Sequence, residues 1–129
     1  MHLTLIKFFI ALKNATILKK ELVYCFYNKI FLKIIKFLYI EGLIKDFSLK
    51  KNRNQYQIII ILKYSYNVGS LASLKIVSKP SSSLFLSFND ICKFSEKKVI
   101  FLFSTSKGLL SSLECKKYKV GGKLLVYVK

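Results

Sequence analysis

The chain opens on apolar residues at helical spacing. Between Leu3 and Leu12, the side chains of Leu5, Phe8, Phe9 and Leu12 fall on one face, while Lys7 and Lys13 fall away from it. A second helix is predicted over Asn28–Glu41, with Phe31, Ile35 and Leu38 as its apolar stripe, widened by Ile30, Ile34 and Phe37. Lys29, Lys33 and Lys36 stand at i, i+4 and i+7 on its other face, which fits either a solvated surface or one turned toward a polyanion. Asn28 suits the N-cap, and Gly42 suits the left-handed position that ends a helix. From Leu43 the pattern turns to strands. Leu43–Lys50 and Tyr56–Tyr64, joined by a polar turn at Lys51–Asn54, read as an antiparallel pair. Ile58–Leu62 is dense in branched residues, as expected of a central strand covered on both faces.

A further strand is expected at Leu74–Val77, and Pro80 should end its ladder. Pro80 and Ser81-Ser82-Ser83 form the one linker-like stretch, so the expected division is 1–80, an α/β subdomain, and 81–129, a β-rich one. In the second part, Leu84–Phe88 and Val99–Phe103 read as strands, with Asn89-Asp90 capping a short helical turn between them. Gly108 breaks the pattern before a short helix at Leu110–Tyr118. Gly121-Gly122 then provides a permissive turn ahead of a last strand, Leu124–Val128. No internal repeat is visible.

Composition changes this picture from a fold to a partner. The chain has 129 residues, and an apolar share of 53% supplies a core and excludes disorder. Against that, 23 basic residues face six acids, a net charge of +17. A compact domain with this excess repels itself unless a polyanion neutralises it. A membrane-spanning role is excluded, because lysines interrupt each apolar run well short of the roughly 18 residues a spanning helix needs. The first residues also lack the small-residue cleavage site of an export signal. Cys25, Cys92 and Cys115 are odd in number and widely spaced, which fits reduced, partly buried thiols and neither a disulfide framework nor a metal knuckle. Of the basic residues 22 are lysine and only Arg53 is arginine, in a chain rich in Ile, Phe, Tyr and Asn. Codons rich in A and T produce that bias, and organellar genomes commonly carry it.

One segment concentrates the chemistry. Ser104-Thr105-Ser106-Lys107-Gly108 follows a buried strand and packs three hydroxyls and an ammonium group into five residues. Hydroxyls donate to phosphate oxygens and accept from ribose hydroxyls, and Lys107 supplies a point charge suited to phosphate. A wide, shallow RNA minor groove offers such partners, although the same residues would also serve as a polar turn with a capping serine. A phosphate-binding loop is excluded, since no glycine stands five residues ahead of a Gly-Lys pair. A serine nucleophile is excluded too: Ser106 and Lys107 are adjacent, and no histidine or carboxylate lies close in sequence to orient a base. The chain is therefore expected to be no enzyme, with no cofactor and no metal.

The same residues carry a resemblance. Ser104-Thr105-Ser106-Lys107-Gly108, followed by Val120-Gly121-Gly122-Lys123-Leu124-Leu125-Val126-Tyr127-Val128, resembles the closing signature of the family of the eighth protein of the small ribosomal subunit. Leu12-Lys13-Asn14-Ala15 is similar to that family's segment at the end of its first helix, and Lys29 through Ile44 to its second helix and Glu-Gly turn. Ile76-Val77-Ser78-Lys79-Pro80 resembles the junction between its two subdomains. The likeness runs in order over nearly the whole chain. It implies an N-terminal subdomain of αβαββ order and a mostly β C-terminal subdomain with a short helix. It also implies binding to a helical junction in the central domain of small-subunit rRNA, early in assembly, beside neighbouring ribosomal proteins. DNA and membrane insertion are not implied.

On this resemblance the rRNA contacts would be Ser104, Thr105, Ser106, Lys107 and Gly108 in the hydroxyl loop, and Gly121 and Gly122 ahead of the last strand. Lys13, Asn14, Lys29 and Lys33 would serve on the N-terminal subdomain, and Ser78 and Lys79 at the shared edge. Departures put some contacts in doubt. Ser81, Ser82 and Ser83 replace the family's glycine and arginines, and Ser111, Ser112 and Leu113 replace its Thr-Asp-Arg. The proline usual before the second helix is missing near Cys25–Tyr27, and the segment Phe94–Lys98 is short. An organellar form is expected, in a mitochondrion ahead of a plastid, because the chain is so apolar and so altered.

Overall fold

The computed structural model describes residues 2–77, 84–93 and 99–128. They form two compact units, Phe8–Ala72, and Ser73–Lys129 together with Met1–Lys7. The fold is α/β, with the αβαββ order at its N-terminal end and a mostly β C-terminal part that carries short helices.

The first unit contains most of helix α1 (His2–Ile17), strand β1 (Leu22–Phe26), helix α2 (Lys29–Ile40) and strands β2 (Ile44–Asn52) and β3 (Gln55–Leu62). α1 runs five residues beyond its predicted end. Ala15 and Thr16 are buried there, and the Thr16 hydroxyl donates to the Leu12 carbonyl at 2.8 Å, so a polar residue continues the buried face. α2 matches expectation closely. The Asn28 side chain accepts from the Ile30 N–H at 2.9 Å, satisfying a free donor of the first turn. At the other end Gly42 has φ +75°, which lets the Leu43 N–H reach the Leu38 carbonyl at 2.8 Å and the Gly42 N–H reach that of Tyr39 at 3.0 Å. Stacked rings of Phe8 and Phe31, 4.5 Å apart, tie the two helices together.

The three strands of this unit are antiparallel in the order β1-β3-β2. β3 is central, as its branched residues suggested, but it is covered on one face only. Ile58, Ile60 and Leu62 are buried, whereas the alternating Ile59 and Ile61 are half-exposed. The turn into β3 is also tighter than expected: β2 reaches Asn52 opposite Gln55, leaving only Arg53 and Asn54 at the tip. A small hairpin, β4 (Tyr64–Ser65) with β5 (Val68–Gly69), follows. Both of its turn residues have positive φ, Tyr66 +53° and Asn67 +65°. Glycine or asparagine normally marks such a turn, and a tyrosine in the first place hid it.

The second unit contains β6 (Leu74–Ile76), β7 (Leu84–Leu86), α3 (Phe88–Lys93), β8 (Ile100–Thr105), β9 (Gly108–Ser111), α4 (Ser112–Tyr118) and β10 (Gly122–Val128). β10 is the centre of an antiparallel sheet. β6 and β7 pair with its two halves along one edge, and β8, extended by β9, pairs along the other. β6, which falls within the expected 1–80 subdomain, thus pairs with the last strand. Ile91, Phe103, Leu110, Cys115 and Leu124 form the core.

Caps explain where the short helices begin. The cap of α3 is Ser87, whose hydroxyl donates to Asp90 at 2.9 Å; Asp90 is its partner in the first turn and not the cap itself. The start of α4 shifts from Leu110 to Ser112, because Ser111 caps it in a reciprocal box with Glu114. That leaves 108–111 to pair as β9. The expected roles of Pro80, Ser81, Ser82, Ser83 and the segment 94–98 lie outside the described residues.

Candidate nucleic-acid interface

The hydroxyl-rich segment is the tip of the β8–β9 hairpin. Thr105 stands opposite Gly108, so Ser106 and Lys107 alone make the turn. Gly108 has φ +102°, a conformation that side-chain-bearing residues rarely adopt, and this turn geometry swings β9 back along β8. The Thr105 hydroxyl closes the turn from inside. It accepts the Lys107 N–H at 3.1 Å and donates to the Gly108 carbonyl at 2.9 Å. Its single proton is therefore engaged within the hairpin, and Thr105 shapes the tip. Ser104, Ser106 and Lys107 are exposed.

Other groups gather at the tip that the sequence alone did not single out. The Lys107 ammonium lies 5.0 Å from the centre of the Tyr118 ring, and Lys117 lies 5.6 Å from the same ring. A cation over an aromatic face is attracted by the ring's quadrupole, an effect of roughly 0.5–1 kcal/mol at an exposed site. Lys123 on β10 stands directly across from Ser104. The run of lysines at 116–119 was the available signal, but it also suits the C-terminus of a helix, where cations are favoured by the dipole. Only the hairpin shows that Tyr118 and Lys117 belong beside Lys107.

Gly121 and Gly122 are explained by close approach and not by a special turn. A Cβ on Gly121 would lie 2.7 Å from the Leu86 carbonyl oxygen, and one on Gly122 would lie 2.7 Å from the Thr105 side chain and 2.9 Å from the Ser104 carbonyl oxygen. Gly122 lets β10 close against β8 directly behind the tip, and Gly121 lets it close against the β7–α3 backbone on its other edge.

The remaining positions of interest lie on the first unit. Lys29, Lys33 and Lys36 are exposed on one face of α2, and on α1 Asn14 is exposed and Lys13 half-buried. Ser78 and Lys79 lie outside the described residues. The positive charge is shared evenly: Phe8–Ala72 holds eleven basic residues and three acids, and the rest of the chain twelve and three.

Among the described residues no group of His, Cys, Asp and Glu could hold a metal ion, and no helix is long and apolar enough to cross a membrane. Burial pushes the Cys25 thiol up to about 11, and burial with the nearby Glu114 carboxylate does the same for Cys115. Cys92 is exposed. Since the thiolate is the reactive form, N-ethylmaleimide near neutral pH should modify Cys92 first in the folded protein. Peptide mapping after brief labelling checks this, and early modification of Cys115 would contradict the packing described.

The chain is a strongly cationic α/β protein whose exposed tip offers hydroxyls, an ammonium group and an aromatic ring, the chemistry that suits a polyanion. Residues 4–128 match the family described as Ribosomal protein S8. The small ribosomal subunit protein uS8 of Mesomycoplasma hyopneumoniae (strain 7448) is 37% identical over 121 residues, which cover 91% of this chain and 88% of the relative. That of Persephonella marina is 36% identical over 123 residues, covering 91% and 90%, and that of Helicobacter acinonychis 28% over 115 residues, covering 88% of each. The chain belongs to the ribosomal protein S8 family, in its bacterial-type form, and is a structural ribosomal protein, not an enzyme.

Proposed function

We propose that the chain binds the central domain of small-subunit rRNA and supports assembly of an organellar small ribosomal subunit, in contact with neighbouring ribosomal proteins. The observation that carries this reading is the β8–β9 tip, where Thr105 and Gly108 hold Ser106 and Lys107 outward in a fixed turn. Ser104 and Ser106 would donate to ribose and phosphate oxygens, and Lys107 would sit on a phosphate. Gly121 and Gly122 would act by seating the strands behind the tip. Lys29 and Lys33 would add phosphate contacts from α2, Lys13 and Asn14 from α1, and Ser78 and Lys79 from the segment after β6. The lysine-for-arginine bias supports an organellar origin, the apolar and altered sequence supports a mitochondrion ahead of a plastid, and mapping the gene to a plastid or nuclear genome would overturn or amend that choice.

Binding to a central-domain rRNA fragment and to an unrelated RNA duplex tests the reading. Ser106→Ala should weaken binding to the fragment about five- to 150-fold, the range for leaving one buried partner unsatisfied, and spare the duplex. Lys33→Ala should weaken both mildly and reduce the salt dependence by about one released counterion. A Ser106→Ala protein that keeps full preference for the fragment would reduce the tip to a structural turn.

A further inference from the structure

A second surface on the first unit has the features of a base-binding cleft. At the end of the β1-β3-β2 sheet, where β2 turns into β3, an open cleft of about 530 Å³ is lined by Phe26 and the hairpin residues 52–57. That volume lies within the range typical of small-ligand pockets, about 300–1,000 Å³. Tyr27 joins Phe26, Gln55 and Tyr56 around the adjoining hollow. The three rings are open to solvent: Phe26 is 73% exposed, Tyr56 51% and Tyr27 42%. Around them stand the side-chain amides of Asn52, Asn54, Gln55 and Gln57, each with two donors and an acceptor.

Charge and backbone point the same way. Arg53, the chain's only arginine, sits at the tip of this hairpin with φ +55°, where glycine or asparagine would be easier. Lys51 lies 5.9 Å from the centre of the Tyr56 ring. Neither 22–40 nor 47–57 contains an acid. The nearest acid along β2 is Asp46, six residues from Asn52 and so roughly 20 Å away along the strand. An unstacked nucleotide matches all three elements at once: a planar face for a ring, an edge of donors and acceptors for the amides, and a phosphate for a guanidinium. A peptide could also meet the rings and the amides, but the acid-free surroundings and the chain's net charge of +17 favour a polyanion.

We propose that this cleft receives one unpaired nucleobase of a bound RNA, stacked on Phe26, the most exposed of its rings, read along its edge by the amides, with Arg53 on its phosphate. The inference rests on the RNA-binding reading above but concerns a separate surface. Its test uses the full chain and two fluorescent probes: an unstructured ten-nucleotide oligoribonucleotide, and an abasic oligomer of the same length and charge. Base–aromatic stacking contributes about five- to 150-fold per base, so the wild type should bind the base-bearing probe at least several-fold more tightly. Phe26→Leu keeps apolar bulk but removes the ring, and should abolish most of that preference while leaving abasic binding unchanged; Phe26→Tyr should retain it. Arg53→Gly suits the positive φ of the turn, and should weaken both probes and lower the salt slope.

A photo-crosslinker placed at Phe26 should capture RNA in assembled subunits. Equal binding of both probes by the wild type, an unaltered preference in Phe26→Leu, or crosslinks to protein alone would each overturn the proposal. Binding of the central-domain fragment is scored separately on the same wild-type protein. Its loss would sink the proposed function, whereas the cleft stands or falls on the two oligomers and the crosslink.

Discussion

Gly122→Val should lower the urea midpoint of unfolding by about 1–2 M. The cause is not conformational freedom, since the φ of Gly122 is ordinary. A Cβ there would stand 2.9 Å from the Ser104 carbonyl oxygen and 3.3 Å from Phe103 Cβ, in addition to the Thr105 contact. The carbonyl belongs to the backbone of β8, which pairs with β10 at this level. It can retreat only by opening that ladder. Phe103 is fully buried in the core and can retreat only by disturbing it. Overpacking of this kind typically costs about 1–3 kcal/mol, and the two further carbons of valine should place it at or above the upper end. Because the obstructing atoms lie directly behind Thr105, the hairpin tip should loosen as well. A midpoint within about 0.3 M of wild type would show that the strands are not so closely set.

Gly108→Val is expected to act differently, on recognition more than on packing. No heavy atom lies within 4 Å of a Cβ built at Gly108, so there is nothing for a side chain to strike. All of the cost is in the backbone. Positive φ costs ordinary residues roughly 1–2 kcal/mol, and for a β-branched residue it is a genuine outlier. The chain can escape by re-forming the turn, and the escape would break both bonds made by the Thr105 hydroxyl. Ser106 and Lys107 would then no longer be held outward. The expected result is a protein that remains folded and loses at least about tenfold of its preference for the central-domain fragment over an unrelated duplex, a shift of roughly 1.4 kcal/mol. Gly108→Asn should lie between the two, because asparagine tolerates positive φ better. If Gly108→Val binds with undiminished preference, the tip does not carry specificity.

Much of the architecture was legible because local chemistry and tertiary packing agree. α2 is the clearest case: stripe, Asn28 cap and Gly42 terminator each point to the element that forms. β1 was invisible to periodicity, since Leu22, Val23, Tyr24, Cys25 and Phe26 are apolar on both faces and show no alternation; only the family resemblance implied a strand before α2. The last two residues of β9, Leu110 and Ser111, fall inside the expected helix because Leu110–Tyr118 has helical composition, and the competing signal, a capping box at Ser111 and Glu114, fixes the start two residues later. The five-residue tip was legible as chemistry but not as geometry. Sequence counts three hydroxyls, and the fold commits the Thr105 proton to the turn. Tyr118 and the cleft at Phe26 were beyond reach for a different reason. Each depends on side chains brought together from separate elements, and no local pattern marks an exposed ring as useful.

The position of β10 also bears on the order in which the protein can form as it is made. The three-stranded sheet of the first unit is closed once residue 62 is available, since β1, β2 and β3 pair only with one another. The second sheet has no such early stage. β6 and β7 both wait for β10, which is synthesised after every other strand of that sheet, and β8 can pair only with β9 until β10 arrives. Pairings between segments distant in sequence form late, because the intervening chain must be ordered before any bond rewards it. On a translating ribosome the first unit, with α2 and its cleft, can therefore become structured while β6 and β7 still lack the strand that will join them.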